Sequence, residues 1–92
     1  MRHAYLVCYD IGDPKRWRLV HKVMLAYGDP LQLSVFLCRL SPVEYQTMRG
    51  RLLEQLNRAD DALAVALLGR EETASLETYG LVRWDKGRRV VV

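Results

Sequence analysis

The sequence is poor in the residues that bind soft metals or carry thiol chemistry. Its 92 residues include two cysteines and two histidines, and neither cysteine lies in a CxxC motif or beside a histidine. A zinc site is therefore not expected, and Cys8 and Cys38 are interpreted as buried free thiols in a reducing compartment. His3 and His21 have no carboxylate or second histidine at a suggestive spacing, so both are assigned to the surface or a helix face.

Long apolar runs, repeats and low-complexity segments are also missing. The apolar stretch at residues 4–9 is too short for a signal-peptide core and far too short to span a bilayer. We therefore expect a cytoplasmic protein with no membrane segment. The length predicts a single domain over residues 1–92, with a core small enough that an oligomer burying further apolar surface is expected.

Acidic residues are slightly outnumbered by basic ones, with 11 Asp and Glu against 14 Lys and Arg and a formal charge of +3. This balance permits a polyanionic partner without identifying one. Half of the residues are hydrophobic and 27% are charged, which is typical of a globular protein rather than a disordered or membrane one.

Two helices are predicted from their start signals. Asp13 precedes a proline and can cap the first helix, whose apolar spacing continues until Gly28, predicted as a left-handed stop. Ser41 and Glu44 form a capping box for the second helix, and the apolar stripe of this helix ends near Asn57.

Three apolar segments are typical of strands. Residues 4–9 form the first, and residues 62–69 are predicted to be a buried strand. Residues 31–40 alternate, with Leu37 on one face and Phe36 and Cys38 on the other, which is mixed and expected to meet something other than the main core. This segment is either one strand or two joined by a bend near Phe36; we favour the bend because no Asn-Gly or Asp-Gly turn marks a hairpin.

The tail adds one or two short strands around a turn at residues 85–87. The resulting order is β-α-β(β)-α-β with extra C-terminal strands, which predicts an α+β, ferredoxin-like βαββαβ sandwich with both helices on one face of an antiparallel sheet. The other face needs a cover, and a two-fold homodimer is the simplest way to supply one.

Four features in order carry a family resemblance. They are the Tyr-Asp dipeptide ending the first strand, an arginine-bearing first helix closed by Tyr27-Gly28, the QLSVF run at 32–36 and the ETYG segment at 77–80. With these features the chain resembles the small CRISPR-associated nuclease family that accompanies the spacer integrase in CRISPR adaptation. The resemblance implies an endonuclease of the endoribonuclease type, acting on RNA and/or DNA phosphodiesters, with the integrase as a partner.

The resemblance also implies that Asp10 from each subunit of a homodimer meets its mate and that the pair holds a divalent metal, typically Mg²⁺. Mg²⁺ prefers hard oxygen ligands and is usually bound through one or two carboxylates, so one aspartate per subunit can suffice. From spacing alone, the preferred interpretation is that Asp10 merely ends the strand and caps the turn. Ser34 is a candidate for positioning a phosphate or a water. Tyr9 is a minor catalytic candidate, because alternation directs its side chain into the core.

Arg16 and Arg18 lie near the start of the first helix, where cations oppose the helix dipole and call for an anionic partner. We predict that they bind nucleic-acid phosphates. A solvated basic face with local pairing to Asp10 or Asp13 is equally open for either arginine.

Dimer contacts are expected at two places. The resemblance implies that Phe36 packs near the subunit junction. It also suggests that Val90, Val91 and Val92 add to the partner's sheet, since an unpaired apolar strand would invite aggregation; a disordered tail is the alternative.

Three functions remain open from the sequence. The first is a metal-dependent endonuclease, and the second is a non-catalytic dimer that bridges integrase subunits and duplex DNA. The third is a toxin-type ribonuclease of the same fold. The first two are expected to bind nucleic acid as a dimer.

Overall fold

The computed structural model describes residues 1–83 and 89–91. Its elements are β1 (His3–Asp10), α1 (Pro14–Tyr27), β2 (Asp29–Gln32), β3 (Val35–Leu40), α2 (Pro42–Gln55), β4 (Ala62–Arg70), β5 (Leu81–Arg83) and β6 (Arg89–Val91). Strands β1 to β4 form one antiparallel sheet in the order β2-β3-β1-β4. This is the predicted ferredoxin-like βαββαβ arrangement, and β5 and β6 pair separately as the extra C-terminal strands.

Both helices begin where the sequence predicts. Asp13 Oδ2 accepts a hydrogen bond from the backbone N–H of Arg16 at 2.9 Å. In the capping box of α2, the N–H of Glu44 donates to Ser41 Oγ and the N–H of Ser41 donates to Glu44 Oε1. These bonds lower the pKa of Glu44 and satisfy backbone donors that the first helical turn leaves unpaired.

Gly28 ends α1, but not as a left-handed stop. Its φ of −155° is extended backbone, so the predicted conformation is wrong. Glycine is needed there because a Cβ atom would lie 2.5 Å from Cys38 Sγ and 2.8 Å from the carbonyl oxygen of Leu37. The close approach of β3 therefore leaves no room for a side chain at position 28.

Residues 29–40 form a hairpin, so the expected bend near Phe36 is wrong. β2 and β3 pair with Gln32 opposite Val35, and Leu33 and Ser34 make the turn. Neither turn residue is a glycine or an asparagine. The turn is held by tertiary contacts instead, because Tyr9 donates from its hydroxyl to the Leu33 carbonyl at 3.3 Å and from its N–H to the Ser34 carbonyl at 3.1 Å.

The core lies between the helices and the sheet face that carries Val7 and Tyr9. Phe36 and Cys38 lie on this face with no exposed surface, so the expected assignment of the two faces of residues 31–40 is wrong. Phe36 is enclosed by its own chain, and its predicted place near the subunit junction remains a prediction. Burial raises the pKa of the Cys38 thiol to about 12.

β4 is an edge strand of the sheet and is mostly exposed, which corrects the expectation of a buried strand. α1 packs over β2 and β3 and α2 packs over β3, so Val65 and Leu67 on the helix side of β4 remain 37% and 63% exposed. On the other sheet face, Leu76 lines cavities with Leu6 and Leu37, and the chain after β4 therefore covers part of that face.

The C-terminal strands are confirmed as an antiparallel hairpin that includes Val90 and Val91. The predicted turn at 85–87 and the interface residue Val92 lie outside the described residues. Within residues 1–83 and 89–91, neither helix is long and apolar enough to cross a membrane.

Candidate active site

Asp10 lies at the end of β1, opposite Ala62 of β4. Alternation along the strand places its side chain on the sheet face away from the helices, together with Cys8. Asp10 is exposed, and within residues 1–83 and 89–91 its carboxylate makes no hydrogen bond or ion pair. Its oxygens are therefore available to a cation from outside the subunit.

Ser34 lies next to the end of β1, because its carbonyl accepts the backbone N–H of Tyr9. The structure thus brings Tyr9, Asp10 and Ser34 to the same end of the sheet. Ser34 is half-buried. Its predicted role in positioning a phosphate remains a prediction.

Tyr9 points into the core, as its alternation with Asp10 predicts. Its hydroxyl is hydrogen-bonded to His21 Nδ1 at 2.8 Å, and burial raises the pKa of the phenol above its usual value. The phenol is therefore neutral at physiological pH and holds the β2–β3 turn and His21. Its catalytic assignment remains a prediction.

His21 belongs to an aromatic cluster that the sequence reasoning missed. Its ring stacks on Trp17 with centroids 4.5 Å apart and meets the ring of Phe36 edge-on at 5.6 Å. His21 follows Trp17 by four residues and precedes buried Met24 by three, which puts it on the inner side of α1. This spacing could have indicated from the sequence that His21 packs against the core side of α1.

Arg16 forms an ion pair with a carboxylate of its own chain. Its Nε and Nη2 donate to the two carboxylate oxygens of Asp61 at 2.8 and 3.1 Å, and the Asp61 side chain has no exposed surface. The local pairing to Asp10 or Asp13 considered from the sequence is replaced by this bidentate pair across 45 residues of chain.

Asp61 also joins the loop after β1 to the loop before β4. It accepts the backbone N–H groups of Gly12 and Asn57, both at 2.9 Å. The Arg16 guanidinium and these N–H groups hold the pKa of Asp61 well below its usual range. Gly12 lets the loops approach, since a Cβ there would lie 3.2 Å from the Asp60 carbonyl. The position of Asp10 thus depends on a loop that Asp61 anchors.

Arg18 differs from Arg16 in being exposed, and no acidic side chain pairs with it in the described part of the chain. It lines an open depression at the start of α1 together with Trp17 and Ile11. Of the two arginines predicted to bind phosphates, Arg18 is therefore the one whose guanidinium is not paired with a carboxylate among the described residues.

A complete metal site is not found in one subunit. Among residues 1–83 and 89–91, no group of three or more His, Cys, Asp or Glu side chains is placed to hold a metal ion. Asp10 offers one hard carboxylate of the kind that Mg²⁺ prefers, and this carboxylate is unpaired among the described residues. The donor chemistry therefore fits Mg²⁺ if a second carboxylate comes from another subunit.

Comparison with known proteins identifies the family. The model of CRISPR associated protein Cas2 matches residues 2–75. The chain belongs to the Cas2 family. CRISPR-associated endoribonuclease Cas2 1 of Rhodospirillum rubrum is 44% identical over 79 residues, covering 86% of this chain and 78% of that protein. CRISPR-associated endoribonuclease Cas2 of Geobacter sulfurreducens is 42% identical over 72 residues, covering 78% and 76%.

A solved Cas2 structure shares the fold. Cas2 of Streptococcus pyogenes, crystallised at pH 6.5, superposes with a TM-score of 0.72 at 34% identity, covering 84% of this chain and 99% of that one. The Cas2 family match includes Asp10, Arg16, Arg18 and Ser34 and ends before the ETYG segment and the C-terminal strands. The predicted family is confirmed.

Proposed function

We propose that this chain is an endonuclease of CRISPR adaptation that works as a two-fold dimer and requires a divalent metal. The observation that supports this most is the exposed, unpaired Asp10 at the end of β1, within the segment matched by the Cas2 family. Relatives with 42–44% identity carry the name endoribonuclease, so RNA is the first substrate to test and DNA the second.

In the proposed site, Asp10 from the two subunits would hold Mg²⁺. The metal would activate water and neutralise charge on the scissile phosphate. Arg18 contributes a cation for the neighbouring phosphates, while Asp61 and Arg16 fix the loop that follows Asp10. Ser34, whose backbone carbonyl accepts from the N–H of Tyr9, would orient a phosphate through its hydroxyl.

The dimer brings Asp10 to its mate through the sheet face away from the helices. Near Asp10 this face carries small side chains, since Ala62, Ala64 and Ala66 of β4 lie opposite Asp10, Cys8 and Leu6 of β1. Small residues allow a second sheet to approach closely. β6 pairs with β5, and in the proposed dimer its other edge, with Val90 and Val91, would pair with the partner's sheet.

Purified protein incubated with labelled single-stranded RNA and with duplex DNA of the same sequence tests the proposal. We expect Mg²⁺-dependent cleavage of at least one substrate and none in the presence of a chelator. Binding without cleavage of either substrate would contradict the nuclease assignment. It would favour the second candidate, a non-catalytic dimer that bridges integrase subunits and duplex DNA.

Cross-linking through Cys8 can test the geometry of the proposed dimer. Cys8 lies two residues from Asp10 on the same face, about 7 Å along the strand, whereas Cys38 is fully buried. A short bis-maleimide should therefore link two subunits of the wild type through Cys8, and Cys8→Ser should abolish the linked species on a denaturing gel. A monodisperse monomer in sedimentation velocity at micromolar concentration would contradict the dimer.

A further inference from the structure

Tyr9 holds the β2–β3 turn with its backbone and with its side chain. Its N–H donates to the Ser34 carbonyl at 3.1 Å, and its hydroxyl oxygen lies 3.3 Å from the Leu33 carbonyl oxygen. The next residue in the chain is Asp10. The end of β1 therefore carries both the carboxylate of the proposed site and the groups that fix the turn beside it.

The phenol of Tyr9 has one proton and two polar neighbours. Burial raises the pKa of this phenol above its usual value, so the hydroxyl keeps its proton. The Leu33 carbonyl can only accept a hydrogen bond. His21 Nδ1, which lies 2.8 Å from the hydroxyl oxygen, can donate or accept according to the tautomer of the ring.

The two contacts are compatible with only one direction of the hydrogen bond between His21 and Tyr9. If the phenol donated its proton to His21, its oxygen lone pairs would face the Leu33 carbonyl oxygen and that contact would be repulsive. If Nδ1 carries a hydrogen and donates it, the phenol proton is directed to Leu33 and both contacts are attractive. Each donor in such a chain also strengthens the next one.

Aromatic rings on two sides fix the place of the His21 imidazole. The Trp17 ring lies nearly parallel to it, with the planes 14° apart. The ring of Phe36, which has no exposed surface, meets it edge-on with the planes 71° apart. An imidazole held in this way loses little conformational freedom when Nδ1 bonds to Tyr9.

We propose that His21 is a positioning residue whose Nδ1–H donates to the Tyr9 hydroxyl and thereby directs the phenol proton to the Leu33 carbonyl. This fixes the turn that holds Ser34 beside Asp10. His21 acts through Tyr9 and not by contact with substrate or metal. The inference rests on the proposed function, because the reaction that benefits from this positioning is the cleavage at Asp10.

The hydrogen on Nδ1 can be observed directly. Long-range ¹H–¹⁵N correlation spectra of untagged, ¹⁵N-labelled protein distinguish protonated from unprotonated imidazole nitrogens. The chain has two histidines, so His3→Gln leaves only the signals of His21. We expect Nδ1 to carry a hydrogen, and an unprotonated Nδ1 would overturn the proposal. This test needs no substitution in the aromatic cluster and decides the proposal even if variants of His21 fail to fold.

Two substitutions separate the hydrogen bond of His21 from its aromatic ring. His21→Asn places an amide N–H close to the position of Nδ1 and can still donate, whereas His21→Phe keeps a ring against Trp17 and Phe36 but has no donor. We expect His21→Phe to lower kcat for cleavage by roughly 3- to 10-fold, which corresponds to one hydrogen bond. KM should change little, because the contacts to substrate are retained, and His21→Asn should keep most of kcat.

A double variant shows whether His21 acts through the phenol. Tyr9→Phe removes the hydroxyl, so adding His21→Phe should lower kcat no further, whereas independent contributions would multiply. Multiplied losses, or a wild-type kcat in His21→Phe, overturn the positioning role and leave the proposed function intact. A wild-type protein that cleaves neither RNA nor DNA overturns the proposed function, and the positioning role with it.

Discussion

Replacing Asp10 with asparagine should lower Mg²⁺-dependent cleavage by roughly 1,000-fold or more, because several kcal/mol of transition-state stabilisation depend on the metal that the carboxylate holds. Asparagine keeps the shape of the side chain but removes its charge. Because Asp10 is exposed and unpaired within the described residues, the change should leave the fold intact. Nucleic-acid binding should persist or tighten slightly, since two carboxylates no longer repel the phosphates.

A matched control removes the same charge elsewhere. Asp60→Asn alters an exposed residue whose carboxylate accepts only from Asn57 Nδ2 among the described residues, and it should cleave at the wild-type rate. Initial rates at saturating Mg²⁺ and affinities without metal are measured for both variants. An Asp10→Asn protein that cleaves as fast as the wild type would show that the metal site is misassigned or that the activity belongs to a contaminant.

Local signals predicted the helices and the end of β1 well. Asp13 and Ser41 cap their helices through bonds to residues three positions away, so the sequence contains the whole interaction. The same holds for Asp10, whose place at the strand end follows from the apolar run before it and the turn residues after it.

The features that could not be predicted from the sequence depend on contacts between residues that are far apart in the chain. The turn at Leu33 and Ser34 has no turn-forming dipeptide and is held by Tyr9, 24 residues earlier. Alternation in residues 31–40 defined two faces but could not say which one meets the helices, and so Phe36 was assigned to the wrong side. The position of Arg16 predicted an anionic partner. Which anion pairs with it could not be predicted, because the loop that carries Asp61 is distant in sequence and approaches Arg16 only in the fold.

Asp61→Ala should lower the melting temperature by roughly 5–10 °C, because it removes four hydrogen bonds and leaves the Arg16 guanidinium without its counter-ion. The loop after β1 should loosen as well, since the N–H of Gly12 loses its acceptor. Asp60→Ala, a change of equal charge at the adjacent residue, is the control and should shift the melting temperature by no more than about 2 °C. Equal melting temperatures for the two variants would contradict the anchoring role of Asp61.

Asp61→Asn gives this prediction a pH dependence. The pKa of Asp61 is lowered in the folded chain, so the unfolded chain binds its proton first as the pH falls. The stability from this carboxylate is therefore fully present above its ordinary pKa of about 4 and is lost progressively below it, toward the lowered folded value. The melting-temperature difference between the wild type and Asp61→Asn should be constant from pH 5 to 7 and shrink from pH 4 to 2. Other carboxylates titrate in both proteins and cancel in the difference, so a gap that stays unchanged down to pH 2 would exclude an ionic anchor at Asp61.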